Sequence, residues 1–590
     1  MVATRLERAT LFFLLLAAVA LSLNKIDTTD TPYHLATAKY AFQTGHWPTT
    51  NTFSYTFPDY PLYQQYPVYQ SLLYAVYWLG GWEGLSLLHC VGWTLVYFLW
   101  MRWGGSYRWA AVLSIAWVIA LLGLQRRMVL RPDLVTLMLL GILFHLVDLY
   151  RKGHAWAVAG FVFVQFLMAN SHQLFPLGLA TQGVLLIHLL MVRFLGGRFG
   201  ISREDADVPL LPVIIGLLFS IGTCFATPLG FEILRAPEHT AGSLGHHRLH
   251  VSEFVYVTSD EYSFRLVLLA GGLALAGWYW ARRNWNPLEI GLWLMGLALV
   301  VAALRGTAFF VLISIGVFSR FFTRAAEEDL RVSGRVNTWS LPRNAMALVT
   351  MAISLWLVSI RWIDPPRVLG RVQPGIGRTL GFWPDHAVSF LKDHPPPGRM
   401  INLSWYSGNV LTWELYPKHP VFVDPRFEAF PREFLLRSIQ AQEDGQALDE
   451  LIEKYQPDWM VAEVRLPTVV AQAARLWKSG AWSLIYVDTE WIILVRDTPM
   501  TADYLAEYRM TPEQIHPPDL FMDEPDLLGL QWLRVAEVHA AFGERERAIA
   551  AWDNAKALSV RYANVAAAER EFSERHPEIT GGREVPEKPR

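Results

Sequence analysis

Through the first 362 residues, long apolar runs alternate with short polar breaks; beyond residue 363 that alternation stops. Eleven runs come close to the ~20 apolar residues that a helix needs to cross a bilayer: 10–23, 82–100, 109–124, 134–150, 155–169, 175–192, 210–226, 264–280, 288–304, 308–321 and 345–361. No small-x-small cleavage site follows the first run, so it is read as a retained helix rather than a signal peptide. The stretch 68–79 is apolar but short and rich in Tyr, which predicts an interfacial or re-entrant helix. In 384–497, strand-like runs (400–403, 421–423, 459–461, 482–487, 491–495) alternate with helical ones (448–455, 469–478), predicting a small α/β domain. In 525–575, Trp532, Ala536, Gly543, Ala548, Trp552 and Ala555 follow the spacing of a tetratricopeptide repeat. One such repeat cannot bury its face alone, so it should pack on its own domain or on a protein partner. The expected architecture is mainly α. A polytopic membrane bundle spans 1–362, with an outer loop at 24–81. An outer α/β domain follows at 363–500, then a repeat-like helical segment at 501–575 and a disordered tail at 576–590.

Composition fits this picture. Apolar residues make up 53% of the chain and its net charge is −2, which leaves no basic surface for nucleic acid. Cys90 and Cys224 both lie in apolar runs, with neither disulfide nor metal spacing. Loop charges set the orientation. With the N-terminus inside, the inner loops hold Arg102/Arg108, Arg151/Lys152, Arg193/Arg198/Arg203, Arg282/Arg283 and the basic run 320–343. Counting 68–79 as a span would spoil that bias. The expected topology therefore has the N-terminus inside and residues 363–590 on the outer side.

Several polar residues then fall on the outer side: Asp27, Asp30 and His34; Arg126, Arg127, Arg131 and Asp133; His172; His246, His247, His250 and Glu253; and Arg305. Each has a plain alternative. Acids can simply end a helix, His172 can be a satisfied packing residue, and arginines can snorkel to headgroups. His246 and His250, four apart, would make a metal pair only on a helix, so a divalent ion stays an open expectation. The convergence carries more weight than any single member. Arginine at an outer membrane surface breaks the charge rule and is costly unless it is paired or binds an anion such as phosphate.

The motifs that carry this pattern resemble a known group. They are Asp27-x-x-Asp30-x-x-x-His34, Gly45-His46-Trp47-Pro48, Arg131-Pro132-Asp133, Ala169-Asn170-Ser171-His172, Ser252-Glu253-Phe254, Leu304-Arg305-Gly306-Thr307, Asn402-Leu403-Ser404-Trp405-Tyr406 and Val421-Phe422-Val423-Asp424-Pro425-Arg426. Over roughly residues 5–500 the chain is similar to bacterial polytopic proteins related to the C-type (GT-C) glycosyltransferases. The resemblance implies a bacterial inner-membrane location, a polyprenyl-phosphate-linked sugar donor, a membrane lipid environment and transfer at the outer face. It implies Asp27 or Asp30 as general base, His34 as a supporting group and Glu253 as a second acid. Arg126, Arg131 and Arg305 would hold the phosphate, and Arg127 and His172 would join them in binding the substrate. The sequence departs from the pattern at Gln64-Gln65-Tyr66-Pro67, where relatives often carry a carboxylate. A lipid-linked oligosaccharide or polymer ligase is a chemically close alternative. A non-catalytic scaffold that keeps the fold, with the helical segment as its docking surface, is a third.

Overall fold

The computed structural model describes residues 5–63, 66–105, 109–125, 127–198, 201, 203–235, 255–280, 286–333, 340–363, 373–379, 381, 383–514 and 525–581. The chain forms two compact units, Met1–Thr28 with Tyr63–Arg378 and Thr29–Leu62 with Thr379–Arg590. Most of the segment expected as an outer loop of the membrane domain thus belongs to the second unit.

The first unit is helical. Among the described residues its α-helices are Arg5–Ser22, Pro67–Trp103, Ala110–Gln125, Pro132–Arg151, Ala157–Ala169, Pro176–Leu195, Leu211–Thr223, Glu261–Trp280, Pro287–Ala302, Thr307–Ser333 and Ser340–Ile363, one for each expected run. Among the described residues five stretches, Pro67–Trp103, Pro132–Arg151, Pro176–Leu195, Leu304–Glu328 and Arg343–Arg361, are long and apolar enough to cross a membrane. The chain is a membrane protein. The Pro67–Trp103 helix is broken where the sequence separates an interfacial piece from a span. Gly80 leaves the helical region and Gly81 sits at φ 59°, a conformation open to glycine and strained for other residues.

Near the C-terminal end of the Pro132–Arg151 helix, charges from several elements interlock. Arg320 Nη1 lies 2.7 Å from Asp148 and its Nε 2.8 Å from Glu289, while Arg324 also pairs with Glu289. Arg151 lies 2.6 Å and His188 2.7 Å from the same Asp205 oxygen. Arg320 also donates to the Trp103 carbonyl at 3.1 Å and stacks over the Trp103 ring at 5.1 Å. Three carboxylates thus meet three guanidinium groups, and Glu289 is wholly buried.

The second unit is built on a four-stranded sheet of order β1-β2-β4-β3, with β1 Met400–Asn402, β2 Trp459–Glu463, β3 Trp482–Val487 and β4 Trp491–Arg496. The β1–β2 pair is parallel and the other pairs are antiparallel. Residues 421–423, read from sequence as a strand, join no ladder strand. Their backbone is satisfied otherwise: Phe422 N–H donates to the Asn402 side chain at 3.0 Å, and Val421 N–H to the Phe53 carbonyl at 3.0 Å. The Thr31–Thr44 helix packs on the Trp405–Leu415 helix. Helices Pro525–Phe542, Arg545–Ser559 and Ala563–Arg575 share a core of Leu533, Ala536, Ala548, Trp552, Ala555 and Phe572. Val538 and Phe542 extend from the first of them into the sheet core, so its free face is covered by its own domain. A further turn, Pro577–Thr580, adds Ile579 to the helical core.

Candidate functional site

In the first unit the site grows from the start of the Pro132–Arg151 helix. Pro132 suits the first helical turn because its missing N–H needs no partner there. Asp133 follows it, where the helix dipole favours a carboxylate. Its carboxylate is buried and sits at the centre of a cluster. Arg127 pairs with one oxygen, while Arg305 Nη2 lies 3.4 Å and His172 Nε2 3.3 Å from the other. His172 Nδ1 lies 2.8 Å from Thr136 Oγ1, one turn along the helix from Pro132. With Nδ1–H donating to that hydroxyl, Nε2 is left to accept from Arg305 Nη2 at 3.3 Å. His172 sits in the turn after the Ala157–Ala169 helix, fixed by backbone donation to Met168 O at 3.2 Å. Arg305 occupies the short turn Leu304–Gly306. A Cβ on Gly306 would fall 2.3 Å from the Leu299 carbonyl, so this tight turn needs glycine.

Asp27 has a similar setting. It lies just beyond the Arg5–Ser22 helix, where Lys25 and Ile26 N–H donate to Gln373 and Gly377 carbonyls at 2.9 and 2.8 Å. Burial pushes its carboxyl above the usual range, while its own backbone N–H, Arg131 and Arg361 pull the other way. Arg361 is almost wholly buried and hydrogen-bonds the Asn24 side chain. Each acid therefore answers to two guanidinium groups, Asp133 to Arg127 and Arg305, and Asp27 to Arg131 and Arg361.

Asp30 and His34 belong to the second unit. Asp30 accepts from Thr29 Oγ1 at 3.2 Å, and the buried His34 ring lies 4.0 Å from the Tyr33 ring. Nearby, the buried Arg426 bonds Asp424 through Nε at 3.0 Å and Asn51 through Nη2 at 2.7 Å, and covers the Phe53 ring at 4.7 Å. Glu428 is buried beside them. Burial, with Asp424 and Asp30 adding to it against Arg426, raises its carboxyl to about 7. The folded unit therefore holds a proton there that the unfolded chain releases near 4.5. That stability is complete below about 4.5 and is lost as pH rises through about 7. Glu428→Gln should flatten the corresponding slope, worth about 3 kcal/mol between pH 5 and 8. Unfolding followed by Trp fluorescence at both pH values checks this, and an unchanged slope counts against it.

Arg126, His246, His250 and Glu253 lie outside the described residues. Among the described residues no group of three or more His, Cys, Asp or Glu side chains could hold a metal ion. Sequence reasoning assigned no role to Asp133 as a hub and missed Arg361 altogether. The charge rule could have flagged Arg361, because it closes the last run on the expected outer side just as Arg127 closes the third.

No family profile matches the chain, and no curated protein matches it. Solved structures do. The archaeal oligosaccharyltransferase AglB from Archaeoglobus fulgidus, in complex with an inhibitory peptide and a dolichol-phosphate, is similar with a TM-score of 0.50 at 13% identity, over 80% of this chain and 72% of that one. The chain has the GT-C fold. An oligosaccharyltransferase from Archaeoglobus fulgidus tethered with an acceptor peptide matches with a TM-score of 0.49 at 14% identity, over 83% of this chain and 74% of that one. ArnT from Cupriavidus metallidurans, bound to undecaprenyl phosphate, matches with a TM-score of 0.45 at 12% identity, over 84% of this chain and 98% of that one.

Proposed function

We propose that this GT-C-like protein transfers a sugar from a polyprenyl-phosphate-linked donor to an acceptor at the outer face of a bacterial inner membrane. The observation that carries this reading is the arginine-rich setting of two acids in the membrane unit: Arg127 and Arg305 pair with Asp133, and Arg131 and Arg361 lie within electrostatic range of Asp27. Guanidinium groups suit a lipid phosphate because their planar fork of donors matches its oxygens. AglB, whose fold this chain shares, has been solved with a dolichol-phosphate.

The chemistry follows from these groups. The acceptor hydroxyl attacks the anomeric carbon and gives its proton to the Asp27 carboxylate. The bond from that carbon to the phosphate oxygen breaks, and the lipid phosphate leaves with the electron pair. The arginines stabilise the charge that develops on it. Asp133 and His172 hold Arg127 and Arg305 ready, so little reorganisation is needed as the bond breaks.

Titration of undecaprenyl phosphate into the nanodisc-embedded protein tests the reading. Arg305→Met removes one charge-assisted contact, worth about 1.5–3 kcal/mol, and should weaken binding roughly 10- to 100-fold. Equal affinity in the wild type and in both Arg305→Met and Arg131→Met would exclude this cluster as the phosphate site.

A further inference from the structure

One face of the Pro67–Trp103 helix carries a buried polar stripe that the proposed transfer step does not use. Ser86, His89, Cys90 and Trp93 fall at helical spacing on one side, and all are buried. Their partners are mainly backbone groups of other segments. Ser86 Oγ donates to Gly377 O at 3.1 Å and accepts from Gly377 N–H at 3.0 Å. His89 Nδ1 lies 2.7 Å from the Ser22 carbonyl and its Nε2 2.9 Å from the Met128 carbonyl. Trp93 Nε1 donates to Val129 O at 3.2 Å. Ser22 returns the contact, donating to Cys90 O at 3.4 Å.

The segments tied in this way bear the candidate site. Ser22 precedes Asp27, Met128 and Val129 lie between Arg127 and Arg131, and Gly377 lies in the stretch that pairs with residues 24–26. A histidine that only filled space in a core would need a single partner. His89 instead sits between two backbones that meet through its ring. A neutral imidazole donates to one of these carbonyls at a time and an imidazolium to both. In either state the ring fixes the gap between the two segments.

We propose that His89 is a positioning residue. It sets the spacing between the segment that bears Asp27 and the loop that bears Arg127 and Arg131, and touches no substrate itself. This rests on reading the cluster as a phosphate site.

Hydrogen–deuterium exchange on the full chain in nanodiscs, with and without undecaprenyl phosphate, tests it. Without lipid, His89→Phe should speed exchange about tenfold in both 22–28 and 127–131, whereas Trp93→Phe should do so in 127–131 alone. With lipid, the wild type should be protected in both segments and His89→Phe in 127–131 only. His89→Gln, which keeps an amide donor, should restore protection of 22–28. A merely structural role would loosen the helix without uncoupling the two segments. Wild-type exchange rates in lipid-free His89→Phe, or protection of both segments in that variant, would overturn the inference. If the wild type shows no protection by the lipid, the phosphate reading fails, and the lipid-free comparison still decides the role of His89.

Discussion

Asp27→Asn is expected to reduce sugar transfer by about two to four orders of magnitude, the usual share of a general base. The amide keeps the size and much of the hydrogen bonding but cannot take a proton. Asp30→Asn serves as the contrast, because Asp30 sits in the second unit, bonded to Thr29 and within electrostatic range of Glu428. The pH profile gives a second readout. Burial raises the Asp27 carboxyl above its ordinary range, and a base works only when ionised, so activity should climb with pH through that raised value. The stability change has the opposite sense. A group whose folded pKa is raised contributes stability at low pH that is lost as pH rises, so a neutral amide should hold or increase thermal stability at pH 8. An inactive but equally stable Asp27→Asn protein would set catalytic loss apart from misfolding. Glycan profiling and a direct transfer assay are the measurements. If both variants match the wild type in both assays, the enzyme reading falls and a scaffold that kept the fold takes its place.

The membrane bundle could be read from sequence because hydropathy acts along a continuous run of residues. The interruption at Gly80-Gly81 was legible for the same reason, since the Tyr-rich piece before it is too short to span. The clustered arginines could be noticed because they break a rule about loops. Their partners could not be read. Asp133 looks like an ordinary helix-starting acid in sequence, and only folding brings Arg127, Arg305 and His172 to it from three separate turns. Asp27 and Asp30 stand three residues apart and looked interchangeable, yet the chain divides between them at Thr28 and Thr29. The buried run 421–423 has the composition of a strand. It pairs only through Val421, in an isolated bridge to Ser54, and the Asn402 side chain takes the Phe422 N–H. Tertiary partners decide such cases, and local pattern does not contain them.

Arg320→Met should be the most damaging single change to the stability of the membrane unit, costing about 3–5 kcal/mol, because it strands buried carboxylates without their counter-charge. Arg320 is the shared member of its network: it reaches Asp148, Glu289 and the Trp103 carbonyl and so joins four helices. Removing it leaves three acids facing two arginines around a wholly buried Glu289. Pairing it with Glu289→Leu restores the charge balance and should return a large part of the loss, since a buried ion pair replaced by apolar groups is often close to neutral. A melting series at one fixed scan rate in one detergent measures this, because membrane proteins commonly unfold irreversibly. Asp148 lies about 22 Å along the helix axis from Asp133, so the change should leave undecaprenyl phosphate affinity per folded molecule untouched. Loss of affinity without loss of melting temperature would mean that the two ends of this helix are coupled, and the network would then belong to the site rather than to the scaffold beneath it.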